Sequence, residues 1–134
     1  EDLRRLIPKT CLRLLNGESI HFDAGLSLRD FLHVEEVGSA LATVLLNDIA
    51  GPVNIGSGEP LSIREVISQI ARAYNCTDQI SFDSVDQPAG LPDSVVADVK
   101  RLNTEYGWSP QKNFEAHLQE TCEWWKNYHI QNKR

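Results

Sequence analysis

Short β-prone runs alternate along this chain with segments of helical periodicity, and that alternation restricts it to the α/β class. The clearest helix start is at Ser62. Ser62-Ile63-Arg64-Glu65 spells a capping box, and Ile63, Val66, Ile67, Ile70, Ala71 and Tyr74 follow on one apolar face. Upstream, the apolar spacing from Leu3 to Leu15 is broken by Pro8, which puts a helix start near Ile7 and its stop at Asn16-Gly17. Val37, Ala40, Leu41, Val44 and Leu45 predict a core-facing helix over 35–47, with Glu35 and Glu36 well placed at its N-terminal dipole. Two more helices are expected, over 98–106, ended by a left-handed cap at Gly107, and over 114–128. Strand candidates lie at 19–22, 28–34, 53–56 and 79–82. The run from Leu28 to Val34, carrying Phe31 and Leu32, reads as a strand buried on both sides.

One hydrophobic core, and one domain over 1–134, is the expectation for a chain of this size. Thirteen Lys+Arg against nineteen Asp+Glu give a net charge of −6 and a pI near 5.1. That balance argues against a phosphate-backbone footprint, so no nucleic-acid partner is expected. No apolar run approaches the roughly 18 residues of a membrane span, and no signal-peptide pattern opens the chain, so no membrane partner is expected either. Cys11, Cys76 and Cys122 form neither a disulfide framework nor a zinc pattern, which suits a reducing cytoplasm. Asn75-Cys76-Thr77 matches a glycosylation sequon with no secretion signal to support it. The sequence starts at Glu1 and contains no Met, so further sequence upstream is expected.

No self-contained catalytic constellation is visible. His21, His33, His117 and His129 share no metal-ligand spacing, and structural roles are expected for all four. Gly56-Ser57-Gly58 lacks both the third glycine of a dinucleotide fingerprint and the Gly-Lys-Ser/Thr of a P-loop, and reads as a turn after a strand. Trp124 and Trp125 point about 100° apart on a helix, so core packing with partial exposure is expected of the pair. Arg29 stands apart. A guanidinium at the head of a buried strand must reach a strand-end crevice or find a buried partner. Its planar fork suits phosphate oxygens, while an ion pair with Asp30 or another carboxylate is equally open.

The stretch Ser27-Leu28-Arg29-Asp30-Phe31-Leu32-His33-Val34-Glu35-Glu36-Val37 resembles the Arg-Asp-aromatic-aliphatic-His-Val-x-Asp-Val segment of the extended short-chain dehydrogenase/reductases, the NAD-dependent sugar-nucleotide epimerases and dehydratases. Three further segments fall in that family's order. They are Leu6-Ile7-Pro8 before Leu14-Leu15-Asn16-Gly17, then Val53-Asn54-Ile55-Gly56-Ser57-Gly58 followed by Leu61-Ser62-Ile63-Arg64-Glu65, and last Asp98-Val99-Lys100-Arg101-Leu102 with Gly107-Trp108-Ser109-Pro110. The similarity covers nearly the whole chain.

The resemblance implies the α/β C-terminal, substrate-binding lobe of such an enzyme, with a few short strands and about five helices and without the N-terminal Rossmann half. Residues 29–58 would then supply the last strand and helix of the Rossmann-like core. The family binds NAD or NADP through a Gly-x-x-Gly-x-x-Gly turn and uses a Tyr-x-x-x-Lys pair as base while hydride leaves a sugar carbon. Neither motif is present, so no catalytic residue, no cofactor-binding residue and no bound cofactor are expected of these residues alone. The implied partners are a nucleoside-diphosphate sugar and the N-terminal half, with a homodimer as one assembly open to the parent. By position, Arg29 matches the family arginine on the substrate diphosphate. Phe22 matches an aromatic beside the base, with a plain core role equally open, and Ser62 lies where some dehydratases face the nucleotide, although capping alone explains it. Two departures stand out: Asp23 replaces a glycine common after that aromatic, and Asp86-Gln87-Pro88-Ala89-Gly90-Leu91-Pro92 carries no second phosphate-binding arginine. That loop is similar to the GDP-fucose synthase and reductase-like branch. Epimerase, dehydratase and reductase stay open, as does a non-catalytic nucleotide-binding scaffold member of the family.

Overall fold

In the computed structural model of the protein, which describes residues 2–84 and 92–132, local sequence signals become five helices and five short strands. The helices are α1 (Leu6–Leu15), α2 (Val34–Leu46), α3 (Ile63–Ala73), α4 (Lys100–Glu105) and α5 (Phe114–Asn132). The strands are β1 (Ile20–Phe22), β2 (Leu28–Asp30), β3 (Pro60–Ser62), β4 (Ile80–Phe82) and β5 (Ser94–Val95). The capping box forms as the sequence predicts. Ser62 Oγ accepts from the Glu65 N–H (3.1 Å), and Glu65 Oε2 accepts from both the N–H (2.8 Å) and the hydroxyl (2.7 Å) of Ser62. Those bonds hold the Glu65 carboxyl below its ordinary pKa.

Two sheets result. β1 pairs with β4 in parallel, His21 opposite Ser81, and α3 lies on the crossover between them. In the other sheet β2 is central: antiparallel to β3, with Arg29 opposite Leu61, and parallel to β5, with Arg29 opposite Val95. The larger core joins Cys11 and Leu14 of α1, Ile20, Val66 and Ile70 of α3, and Leu118, Cys122 and Trp125 of α5. A smaller one sets Ala40 of α2 against Leu102, Tyr106 and Trp108. Polar contacts stitch this second core: Arg101 donates to the Ala50 and Pro52 carbonyls, the Tyr106 hydroxyl to the Ile49 carbonyl, and Trp108 Nε1 to Ser39 Oγ.

Several expectations need correction. The strand from Leu28 ends at Asp30 and is half-buried rather than buried on both sides. Beyond it the chain turns away so that the His33 ring caps α2, accepting from the Glu35 N–H at 3.4 Å. No strand forms at 53–56, because that segment has no ladder partner among the described residues; Val53 and Ile55 pack on the smaller core instead. β3 and β5 were not anticipated. Helix α2 is core-facing only along Ala40 and its flanks, while Val34, Leu41, Leu45 and Leu46 stand exposed. Gly107 does adopt a left-handed φ of 65° after α4. Trp125 is buried and Trp124 exposed, as their spacing requires. No disulfide joins the three cysteines. No helix among the described residues is long and apolar enough to cross a membrane.

The capping box generates a stability prediction. Ser62→Ala removes one acceptor for an orphan N–H and should cost about 1 kcal/mol in a urea melt. An unchanged midpoint would show that α3 does not depend on its cap.

Candidate functional site

Successive residues of a strand face opposite ways, so Arg29 and Asp30 diverge from the middle strand of the sheet. Asp30 turns toward the 56–58 turn. Its Oδ1 accepts from the N–H (2.8 Å) and hydroxyl (2.7 Å) of Ser57, and its Oδ2 from the N–H groups of Gly58 (3.0 Å) and Ala97 (3.1 Å). Burial works to raise this carboxyl, but the four bonds outweigh it and hold Asp30 below its ordinary pKa. Gly56 is required by the approach: a Cβ there would lie 2.5 Å from the Ala97 Cβ and 2.7 Å from Asp30 Oδ2. Gly58 has φ of 75°. The glycine turn therefore does wrap an anion, but that anion is the protein's own carboxylate.

Arg29 lies on the other side of the story. Its Nη1 donates to the carbonyls of Leu28 (2.7 Å) and Pro92 (3.3 Å). Among the described residues no carboxylate pairs with it, and Asp30, the proposed ion-pair partner, is committed to backbone donors. Arg29 borders an open cleft of about 720 Å³ lined also by Asp30, Leu32, Asn54, Val95 and Asp98. A half-buried cation held in place by carbonyl dipoles and, among the described residues, bonded to no carboxylate is a ready partner for an anionic ligand.

The other two sequence candidates do not join it in that cleft. Ser62 is close along the ladder, opposite Leu28, but its hydroxyl is consumed by the capping box. Phe22 belongs to the separate two-stranded sheet. It stacks on Phe82 (ring centroids 5.7 Å apart), whose ring also lies 4.3 Å from the Arg64 guanidinium, and it packs on the larger core. Residues 86–91 of the loop compared with the GDP-fucose synthase branch lie outside the described residues.

Sequence reasoning missed a buried polar network between α2 and α5. Glu36, expected to interact with the N-terminal dipole of α2, is buried. Its Oε1 accepts from His117 Nε2 (3.0 Å) and from the N–H groups of Gln111 (2.9 Å) and Lys112 (3.1 Å). Burial raises its carboxyl, but the His117 bond and the two N–H groups prevail and keep it below the ordinary value. The His33 ring stacks on His117, centroids 4.2 Å apart and planes 7° from parallel. The one advance signal was an acidic residue on the apolar side of α2, which lone sequence spacing does not connect to a histidine 81 positions away.

Comparisons with known proteins agree with this architecture. No family model matches the sequence. The chain is 30% identical over 131 residues to a dTDP-glucose 4,6-dehydratase of Shigella flexneri, an alignment covering 90% of the chain and 36% of that protein. It superposes on the crystal structure of dTDP-glucose 4,6-dehydratase from Bacillus anthracis in complex with NAD with a TM-score of 0.81 and 27% identity, covering 96% of the chain and 41% of that structure. A UDP-N-acetylglucosamine 4-epimerase from Methanobrevibacter ruminantium in complex with UDP-N-acetylmuramic acid gives a TM-score of 0.80 at 26% identity, with the same coverage of 96% and 41%. The chain thus spans about a third of the length of the curated relatives it matches.

Asp30 supplies the pH prediction. Its folded pKa is depressed, so its stabilisation is present above the unfolded value, near 3.9, and is lost as pH falls through the folded one. In Asp30→Asn one accepting oxygen becomes a donor facing N–H groups. Urea melts should show the variant about 2 kcal/mol less stable at pH 7, with the difference shrinking toward pH 2. A pH-independent difference would mean that the carboxylate charge is not what holds the turn.

Proposed function

Because this chain belongs to the extended short-chain dehydrogenase/reductases of the sugar-nucleotide epimerase and dehydratase kind, with the fold of their C-terminal lobe, we propose that it is the part of such an enzyme that holds the diphosphate of a nucleoside-diphosphate sugar. Arg29 carries the reading. It heads the segment that matches the family, sits on an open cleft and, among the described residues, has its charge unmet by any carboxylate. A bidentate grip on phosphate oxygens would complete its hydrogen bonding, since its Nε and Nη2 donate to nothing among the described residues. Phe22 beside the base is a weaker assignment, because Phe82 and the core already occupy its faces. Ser62 takes no part in this reading.

In this reading NAD or NADP is not held by the described residues. The N–H groups of the 57–58 turn already donate to the Asp30 carboxylate and so are not offered to a cofactor pyrophosphate. In this reading the cofactor and the residues that exchange protons with the sugar lie elsewhere in a longer polypeptide. The exposed side chains Val34, Leu41 and Leu45, spaced on one side of α2, give that remainder an apolar surface to cover. The chain's own contribution is positioning: fixing the diphosphate fixes the sugar relative to the reacting groups.

In the full polypeptide carrying this chain, Arg29→Ala should weaken sugar-nucleotide binding by about 1.5–3 kcal/mol, roughly 10- to 150-fold, with NAD(P) affinity nearly constant. Arg29→Lys should recover only part of the loss, since a point charge lacks the fork. Paired calorimetric titrations with UDP- and dTDP-sugars and with NAD(P), beside a thermal melt, make the check. A sharp fall in melting temperature with substrate affinity intact would make Arg29 a structural residue and sink the assignment. Normal binding with no turnover of any sugar nucleotide would favour the scaffold member of the family.

A further inference from the structure

We propose that His33, Glu35 and His117 form a binding site for a divalent cation of the zinc class where α2 meets α5. One donor atom from each lies within 4.8 Å of the others. Two imidazoles and a carboxylate are a donor set that suits zinc and its borderline neighbours, and they would leave a fourth, open position on a tetrahedral ion.

His117 is the fixed ligand. Its side chain is only 6% exposed, and the ring is flanked on both edges, with Nε2 3.0 Å from Glu36 Oε1 and Nδ1 3.3 Å from Glu120 Oε2. Whichever nitrogen turns to the ion, the other keeps a carboxylate to donate to, the outer contact that orients a ligating histidine and raises its basicity. Glu36 is itself anchored by the Gln111 and Lys112 N–H groups, so this support is built into the junction between the helices.

His33 and Glu35 are the adjustable ligands, with side chains 20% and 73% exposed. Donor atoms on a tetrahedral ion with bonds near 2.1 Å stand about 3.4 Å apart, so the widest separation in the cluster, within 4.8 Å, must close by at most about 1.4 Å. The parallel stack of the two rings means that His33 must also turn about its side-chain torsions before a nitrogen points at an ion in the plane of the His117 ring. Room for this exists, because a groove of about 840 Å³ opens along both histidines and Glu35. The local charge favours a cation. Glu35, Glu36 and Glu120 all lie near the ammonium of Lys112, which is 2.7 Å from Glu120 Oε1. Binding would lock the start of α2, and with it the end of the strand that carries Arg29, onto α5.

The test is titration of the full polypeptide with ZnCl₂ by calorimetry after EDTA treatment, with CoCl₂ as an optical probe. The expected result is one equivalent bound with Kd below about 10 μM, a melting temperature raised by zinc, and the visible d–d absorption of tetrahedral Co²⁺. His33→Ala and Glu35→Gln, both at the accessible edge, should each weaken binding at least tenfold and abolish the cobalt bands. Glu36→Gln should weaken it by roughly 10- to 100-fold while leaving the bands in place. No saturable binding tighter than about 100 μM, or binding that both edge variants leave unchanged, would overturn the proposal. The second outcome would assign the ion to a surface pair such as His21 and Asp83, which lie 2.8 Å apart.

Discussion

The carboxylate of Asp30 accepts hydrogen bonds from two places far apart in the chain, the 57–58 turn and Ala97, and it does so from the central strand of a sheet. Short strands alone would hold that sheet weakly: β2 has three residues and β5 two. A charged acceptor with four donors adds the fastening that the ladder lacks, because bonds to an ionised group are about twice as strong as neutral ones. The same arrangement explains why Arg29 is left over. Its neighbour in sequence is the obvious counter-ion, yet the strand pleat turns Asp30 the other way and backbone dipoles use up its charge.

Several polar residues in the segments that match the family have such internal duties. Asp30 fastens the turn, Glu36 receives two N–H groups and a histidine, Arg101 pins the carbonyls of Ala50 and Pro52, and Trp108 reaches Ser39. Their presence is accounted for by folding alone. Arg29 differs from these four in having unmet donors among the described residues, and so invites an account outside the fold.

What could be read from sequence was what local physics decides. The capping box at Ser62, the stop at Gly107 and the opposed exposures of Trp124 and Trp125 depend on residues within a turn or two of one another. Failures came where distant partners decide. The 53–56 run has strand-forming residues but no ladder beside it. β3, headed by Pro60, becomes a strand because β2 lies alongside; Pro60 stands at its first position, where a missing N–H is tolerated. Glu36 has a local role at the start of α2 in the sequence, but its partner His117 comes from α5, 81 positions away. Arg29 stands out in the sequence because a charged residue in an apolar run is itself a local anomaly, but that anomaly alone does not choose between an ion pair and a ligand.

The larger core is closed by α1 and α5, which stand about a hundred residues apart in the chain. Cys11 and Leu14 cannot reach their partners Leu118, Cys122 and Trp125 until nearly all of the intervening chain has been made. During synthesis α1 and α3 must therefore wait with apolar faces uncovered, since a domain emerges from the ribosome from its N-terminal side. Contacts of such long sequence separation slow folding through the entropy of closing the loop between them. The order of translation thus makes the last helix the one that turns a loosely assembled nascent lobe into a sealed one.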